Sequence, residues 1–119
     1  MKVTAISFGY SNRLKTLWKN GELPTVTKGL YGGTLTKDTI SLEHLKPHSQ
    51  GGSTTMYNLA LATVENNKKR ANKPLQDFLT KENLENYLKQ FEGIKLKKFD
   101  GDKYIEEILK TLKRLKIEV

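Results

Sequence analysis

The sequence predicts an α+β fold in a single domain spanning residues 1–119, with a strand–strand–helix unit at its centre and helices on either side. A chain of 119 residues has the size of one domain and can bury a modest core. Its 36% hydrophobic and 29% charged residues are typical of a folded domain and not of a disordered chain. Apolar side chains alternate before residue 44 and recur at helical spacing after residue 80, so both strands and helices are expected.

The first third of the chain predicts one strand, one helix and a tight turn. Residues 3–8 alternate loosely between polar and apolar and predict a strand. Ser11 offers a helix cap and Gly21 a stop, which together indicate a helix at about 11–20. Its apolar stripe is Leu14, Leu17 and Trp18. The glycine-rich stretch 26–35 predicts short strands joined by a tight turn.

The middle of the chain predicts two strands and a helix in direct succession. Residues 39–42 are β-branched and alternating, and they predict a strand that runs into Glu43 and His44. A loop follows at 47–55, rich in glycine and serine, and 56–61 is the candidate second strand. Thr63 then caps a basic helix.

The last third predicts helices that pack against the core. Pro74 marks the end of the basic helix or the first turn of a successor. One amphipathic stripe begins after Thr80 and stops at Gly93, and a second follows residues 100–102. The stripes are Leu84, Tyr87, Leu88 and Phe91, and Ile105, Ile108, Leu109, Leu112 and Leu115. Asp100-Gly101-Asp102 lacks the other ligands of a calcium loop and predicts a turn.

The composition excludes several classes of site. The chain has no cysteine, so a disulfide or a thiolate-bound zinc is excluded, and any metal must be held by oxygen or imidazole nitrogen. No apolar run approaches the roughly 20 residues of a membrane helix. The first residues are too polar for a signal peptide, which predicts a cytoplasmic protein with no membrane partner.

The net charge of +8 favours a polyanionic partner such as nucleic acid. The charge is +4 over residues 1–42, +3 over 43–73, −2 over 74–92 and +3 over 93–119, so no basic tail accounts for it. A general lysine richness of the coding sequence would give the same total. The charge alone therefore does not separate the two interpretations.

Residues 42–73 bring together the groups that could carry chemistry. Glu43 and His44 end the first strand, Asn58 begins the second, and Asn66 and Asn67 lie in the first turns of the basic helix. A strand pair and a helix could place these groups at one spot. A carboxylate, an imidazole and amide oxygens beside lysines suit a hard cation and a phosphate.

This stretch resembles the HNH nucleases of the ββα-metal superfamily. The matching elements are Glu43-His44, Pro47, Ser49, Gly51-Gly52, Asn58-Leu59, Asn67 and Arg70, with 14 residues from His44 to Asn58 and 9 from Asn58 to Asn67. The preceding Tyr31-Gly32-Gly33 resembles the knuckle found before the motif in many members. The resemblance implies a ββα-metal core at about 39–73, with a flanking N-terminal helix and a helical extension at about 74–119.

The chain departs from the family pattern at three points. Many members hold a structural zinc with cysteine pairs, and here Tyr31-Gly32, Thr63 and Asn66 occupy those positions, so no structural zinc is expected. Glu43 stands where aspartate is common. Asn67 replaces the last histidine of the motif, as in the HNH domain of RNA-guided CRISPR nucleases.

The resemblance implies a metal-dependent endonuclease that hydrolyses DNA phosphodiester bonds. His44 would be the general base, and Asn58 would orient His44 or the loop beside it. Glu43 and Asn67 would bind one divalent ion, Mg²⁺ or alternatively Mn²⁺. The implied contacts to the DNA backbone are Lys46, His48, Lys68, Lys69, Arg70 and Lys73.

Several alternatives stay open at the level of sequence. Asn66 competes with Asn67 as the metal ligand, although Asn66 also fits a role near the Thr63 cap. A non-catalytic nucleic-acid-binding module and a binder of an acidic protein are the rival functions, and RNA is an open substrate. A phage or mobile-element origin is a further expectation. Glu43 and His44 can share a site only if the strand ends or twists there, because neighbouring strand residues point to opposite faces.

Overall fold

The computed structural model describes residues 13–47, 51, 56–71 and 73–118. Within these residues the chain forms an α+β fold with five helices and two two-stranded antiparallel sheets, which confirms the predicted fold class. The elements are α1 (13–19), β1 (Ile40–His44), β2 (Leu59–Thr63), α2 (Val64–Arg70), α3 (Leu75–Phe78), α4 (Lys81–Lys89), β3 (Lys95–Leu96), β4 (Phe99–Asp100) and α5 (Gly101–Arg114). The predicted strand at 3–8 and the Ser11 cap lie outside the described residues.

A β-hairpin followed by a helix forms the centre of the fold. β1 pairs antiparallel with β2, from Ile40 opposite Thr63 to His44 opposite Leu59. The second strand begins later than predicted, because Met56–Asn58 forms a 3-10 turn before it. The Oγ1 atom of Thr63 accepts a hydrogen bond from the backbone N–H of Asn66 at 3.1 Å, so Thr63 caps α2 as predicted.

Two tyrosines take the place of a further strand along the outer edge of β2. The N–H of Leu61 donates to the hydroxyl of Tyr87 at 2.9 Å, and the hydroxyl of Tyr104 donates to the carbonyl of Leu59 at 2.8 Å. The two hydroxyls lie 2.9 Å apart. Because a carbonyl can only accept, the proton of Tyr104 is committed to Leu59, and Tyr87 donates to Tyr104. This chain of hydrogen bonds satisfies the N–H of Leu61 and the carbonyl of Leu59, while the carbonyl of Leu61 accepts from the N–H of Leu30 at 2.8 Å.

The C-terminal part of the fold differs from its prediction in two respects. Asp100 caps α5 by accepting from the N–H of Lys103 at 3.1 Å, so residues 100–102 start a helix and the predicted turn was wrong. The short β3–β4 hairpin before it was not predicted. Gly101 is required there, since a Cβ atom would lie 2.0 Å from the carbonyl oxygen of Phe91.

The core lies between the hairpin and the C-terminal helices. Both predicted amphipathic stripes face it, although Leu109 is 47% exposed. An aromatic cluster with ring centroids 4.7–6.5 Å apart fills its centre, formed by Tyr87, Phe91, Phe99 and Tyr104. In the described part of the chain, no helix combines the length and apolar character needed to cross a membrane.

Candidate functional site

Helix α2 lies along the outer edge of β1 and satisfies its carbonyls with polar side chains. The Nδ2 atom of Asn67 donates to the hydroxyl of Ser41 at 2.8 Å and to the carbonyl of Leu42 at 3.2 Å. One turn later, Nη1 of Arg70 donates to the carbonyl of His44 at 3.3 Å. The helix is therefore held to the strand at the point where the sequence-predicted site residues lie.

Glu43 is held in a buried ion pair. Its Oε2 atom lies 3.1 Å from Nη1 of Arg70 and accepts a hydrogen bond from the hydroxyl of Tyr31 at 2.5 Å. The side chains of Arg70 and Glu43 are only 7% and 13% exposed. Both contacts use Oε2, so Oε1 takes part in neither of them.

The ionisation of Tyr31 and Arg70 follows from this arrangement. Burial, reinforced by the charge of Glu43, raises the pKa of Tyr31, so the phenol stays neutral and acts as a donor. Burial alone would lower the pKa of Arg70, but the neighbouring Tyr31 and Glu43 outweigh it and raise the pKa. The guanidinium thus stays charged beside the carboxylate.

Arg70 is not available to contact DNA. The residue is 6% exposed, and its Nε atom donates to the carbonyl of Lys73 at 3.0 Å. The expectation that Arg70 grips the phosphate backbone was therefore wrong, because its guanidinium is used inside the protein. The other predicted contacts in the described residues, Lys46, Lys68, Lys69 and Lys73, are exposed. His48 lies outside the described residues.

Asn67 presents a buried amide oxygen. Because the carbonyl of Leu42 can only accept, the NH₂ group of Asn67 must face β1 and its Oδ1 atom must face away from that carbonyl. Oδ1 is buried and meets no hydrogen-bond donor among the described residues. Such an orphaned acceptor is unusual in a folded protein and fits a ligand atom.

Asn66 is committed to a different contact. Its Nδ2 atom donates to the carbonyl of Gly32 at 3.2 Å, which ties the start of α2 to the tight turn before β1. That turn has Gly32 and Gly33 at φ of +84° and +80°, a conformation that favours glycine. Of the two asparagines, Asn67 is therefore the one that contacts β1.

Asn58 fixes the loop that follows His44. Its Oδ1 atom accepts from the N–H of Lys46 at 2.9 Å, and its Nδ2 atom donates to the carbonyl of Lys46 at 3.1 Å. Its own carbonyl accepts from the N–H of Leu45 at 2.9 Å. Asn58 was expected to orient either His44 or the neighbouring loop, and these contacts are made to the loop.

His44 is the last residue of β1, directly after Glu43. Regular pairing with β2 continues through both residues, so their side chains leave the hairpin on opposite faces. The strand thus does not end between them, as the expected shared site required. The two residues are linked instead through Nη1 of Arg70, which contacts the Glu43 carboxylate and the backbone carbonyl of His44. The residue is half-buried, and its Nε2 atom is shielded from solvent.

The described residues contain no group of three or more histidine, cysteine, aspartate or glutamate side chains arranged to hold a metal ion. At the α2–β1 contact, Oδ1 of Asn67 meets no donor among the described residues, and Oε1 of Glu43 takes no part in the contacts with Tyr31 and Arg70. Comparison with protein-family models, with curated proteins and with solved structures finds no match to this chain.

Tyr31 is the residue of the site that sequence reasoning missed. It was assigned to the turn before the motif, whereas its hydroxyl contacts both charged groups of the buried pair. Its ring packs edge-on against Phe78 of α3, with centroids 4.7 Å apart. No local pattern signals these partners, which lie 12 and 39 residues away from Tyr31.

Proposed function

We propose that this chain is a metal-dependent endonuclease of the ββα-metal type that hydrolyses phosphodiester bonds in DNA. The observation that carries the proposal is the buried Oδ1 atom of Asn67, an acceptor that meets no donor among the described residues. It belongs to the side chain that fastens α2 to β1, the strand of Glu43 and His44. The strand–strand–helix order and the loop contacts of Asn58 support the same assignment.

The two oxygen atoms at this contact have the chemistry that a hard cation requires. A Mg²⁺ or Mn²⁺ ion would be held by Oε1 of Glu43 and Oδ1 of Asn67, with water and substrate phosphate as further ligands. When bound, the ion would neutralise phosphate charge and stabilise the departing oxygen. Because Arg70 already balances the charge of Glu43, the protein alone should bind the ion weakly.

The remaining steps belong to side chains of this chain. His44 would take the proton from the water that attacks the phosphorus. Since its Nε2 atom is shielded from solvent, the proposal requires the ring to turn toward the substrate. Asn58 would keep the backbone beside His44 in place. Exposed lysines, including Lys68 and Lys69 of α2, would hold the DNA backbone without reading its sequence.

A second candidate is a nucleic-acid-binding module that does not cut. Two observations favour it: Arg70 neutralises Glu43, and the Nε2 atom of His44 is buried. Both candidates predict binding to nucleic acid, and only the first predicts cleavage. The difference is measurable with the intact protein.

The test is the conversion of supercoiled plasmid to nicked and linear forms with Mg²⁺, with Mn²⁺ and with EDTA. We expect cutting that requires metal and falls about 100- to 10,000-fold in His44→Ala. Asn67→Ala should raise the metal concentration needed for half-maximal cutting. Asn86→Ala, a matched change at an exposed position of α4, should leave it unchanged. Binding without cutting under either metal would establish the non-catalytic module instead.

A further inference from the structure

Two cavities lie side by side next to the loop that follows His44. The first has a volume of about 500 Å³ and the second about 440 Å³. Lys46 and Leu115 line both cavities, so the cavities adjoin at these two residues. Pockets of about 300–1,000 Å³ are of the size that holds small organic ligands.

The first cavity combines apolar walls with cationic side chains. Leu75, Leu115 and Ile117 contribute apolar surface, and Lys46 and Lys73 contribute charge. Among the described residues that line it, none is acidic. A ligand that fits must therefore carry both an apolar surface and a negative charge.

The second cavity adds an aromatic ring to the same chemistry. Tyr57, which is partly exposed, lines it together with Arg114 from the end of α5. The acidic residue among its described lining residues, Glu107, lies 3.3 Å from the ammonium group of Lys110. The charge that remains for a ligand in this cavity is positive.

We propose that the two cavities hold successive unpaired nucleotides of one nucleic-acid strand, with the phosphate between them on Lys46. A base has the flat apolar surface that the walls and the ring of Tyr57 can cover, and its phosphate supplies the negative charge. A regular duplex keeps its bases stacked inside and offers only sugar and phosphate to these walls. The substrate class is therefore a single strand or a duplex with an unpaired segment.

The position of this groove links it to the site of chemistry. Leu45 and Lys46 directly follow His44, and Asn58 fixes the backbone of both. A strand held on Lys46 would thus have a fixed position relative to His44. This link rests on the proposed nuclease function, whereas binding of unpaired nucleotides in the groove does not.

The test is binding measured in EDTA, by fluorescence anisotropy of a labelled single-stranded DNA of about 12 nucleotides and of a blunt hairpin duplex. We expect the single strand to bind at least about tenfold more tightly. Tyr57→Leu should weaken single-strand binding about tenfold, because base stacking on the ring is lost. Lys46→Gln should weaken it and lower the salt dependence by about 0.7 in log–log slope, as expected for one lost phosphate contact.

Lys103→Gln is the matched control for Lys46→Gln, an equal change of charge at the exposed start of helix α5 and outside both cavities. It should leave the affinity within about twofold of the original protein. Equal affinity for single strand and duplex, or equal effects of Lys46→Gln and Lys103→Gln, would overturn the proposal. So would displacement of the oligonucleotide by polyglutamate with no effect of Tyr57→Leu, since the groove would then recognise charge alone.

The outcomes separate this proposal from the proposed function. A preference for the single strand without cutting under any metal would support nucleotide binding in the groove and contradict the nuclease function. The reverse result is metal-dependent cutting that is lost in His44→Ala, together with equal binding of single strand and duplex. It would support the nuclease function and contradict nucleotide binding in the groove. Circular dichroism of each variant checks that a loss of binding is not a loss of fold.

Discussion

At the scale of single residues, the buried ion pair of Arg70 and Glu43 determines what a substitution at either position does to the free energy of unfolding. The two groups lie 3.1 Å apart with 7% and 13% of their side chains exposed, so both have lost most of their hydration. In such a pair the attraction roughly offsets the cost of desolvation, and the pair adds little net stability. Removal of one partner is different, because the other charge then stays buried without compensation.

Arg70→Met should therefore lower the free energy of unfolding by about 3–5 kcal/mol, since it leaves Glu43 buried and unpaired. Urea denaturation followed by circular dichroism measures this loss. The double variant Arg70→Met with Glu43→Gln should recover part of it. Lys69→Met, at an exposed position of the same helix, should change stability by no more than about 0.5 kcal/mol.

The opposite result would support Arg70 as one of the residues predicted to contact DNA. That result is an Arg70→Met protein with unchanged stability and a weaker affinity for DNA. A buried guanidinium with four internal acceptors should instead affect the fold first.

Sequence could predict some roles at this scale and not others. The loop contact of Asn58 was expected only from the resemblance to a known motif, because its partner Lys46 lies 12 residues away and no local pattern shows it. The choice of Asn67 over Asn66 was not predictable, since it depends on which helix face meets β1. The burial of Arg70 was hidden for a similar reason: a basic residue in a row of lysines gives no sign that one member faces inward.

At the scale of elements, side chains from the helices close both edges of the central hairpin. Asn67 and Arg70 satisfy carbonyls along β1, and Tyr87 and Tyr104 satisfy groups along β2. A two-stranded hairpin is marginally stable by itself in water. The helices supply here both the apolar cover and the missing hydrogen-bond partners, so hairpin and helices stabilise one another.

Tyr87→Phe tests the contribution of the tyrosine chain. The change keeps the ring but leaves the buried N–H of Leu61 without an acceptor, and we expect a loss of about 1–3 kcal/mol in the free energy of unfolding. Urea denaturation gives the value. Tyr57→Phe is the control, because the Tyr57 hydroxyl makes no hydrogen bond within the described residues. Equal stability of the two variants would show that the N–H of Leu61 finds another partner.

Elements with local signals were predictable, and elements without them were not. Thr63 and Thr80 both cap helices as predicted, since capping depends on residues only three positions apart. The β3–β4 hairpin has two residues per strand, too few for an alternating pattern. Its existence depends on the approach of Gly101 to Phe91, a contact that the sequence does not reveal.

At the scale of the whole molecule, polar groups connect the parts of the core. The buried hydroxyls of Tyr31, Tyr87 and Tyr104 each bond to an element distant in sequence. Burial is the main cause that raises the pKa of each of the three tyrosines above the ordinary value of 10.0. In the unfolded chain the tyrosines are not buried and their pKa values are not raised. The folded and unfolded states therefore bind different numbers of protons at high pH.

The sign of this difference predicts alkaline unfolding. Below about pH 10 both states keep the three protons, and the stability is fully present. Above that pH the unfolded chain loses protons that the folded protein retains, so the free energy of unfolding falls as pH rises. Each tyrosine contributes about 1.4 kcal/mol per pH unit, giving a limiting slope of about 4 kcal/mol per unit. Urea denaturation between about pH 8 and 11 measures the slope.

A variant assigns the slope to the tyrosines. Tyr104→Phe should remove about one third of the pH slope of the free energy of unfolding. Lys95 and Lys110, whose pKa values are also raised, are present in the original protein and in the variant, so their contribution cancels in the comparison. The part of the tyrosinate absorbance that comes from these three phenols should appear together with the loss of helical circular dichroism, because they ionise only when the core opens. Ionisation of the same phenols near pH 10 in a protein that stays folded would contradict their burial, and with it the hydrogen-bond chain that links helices α4 and α5 to the central hairpin.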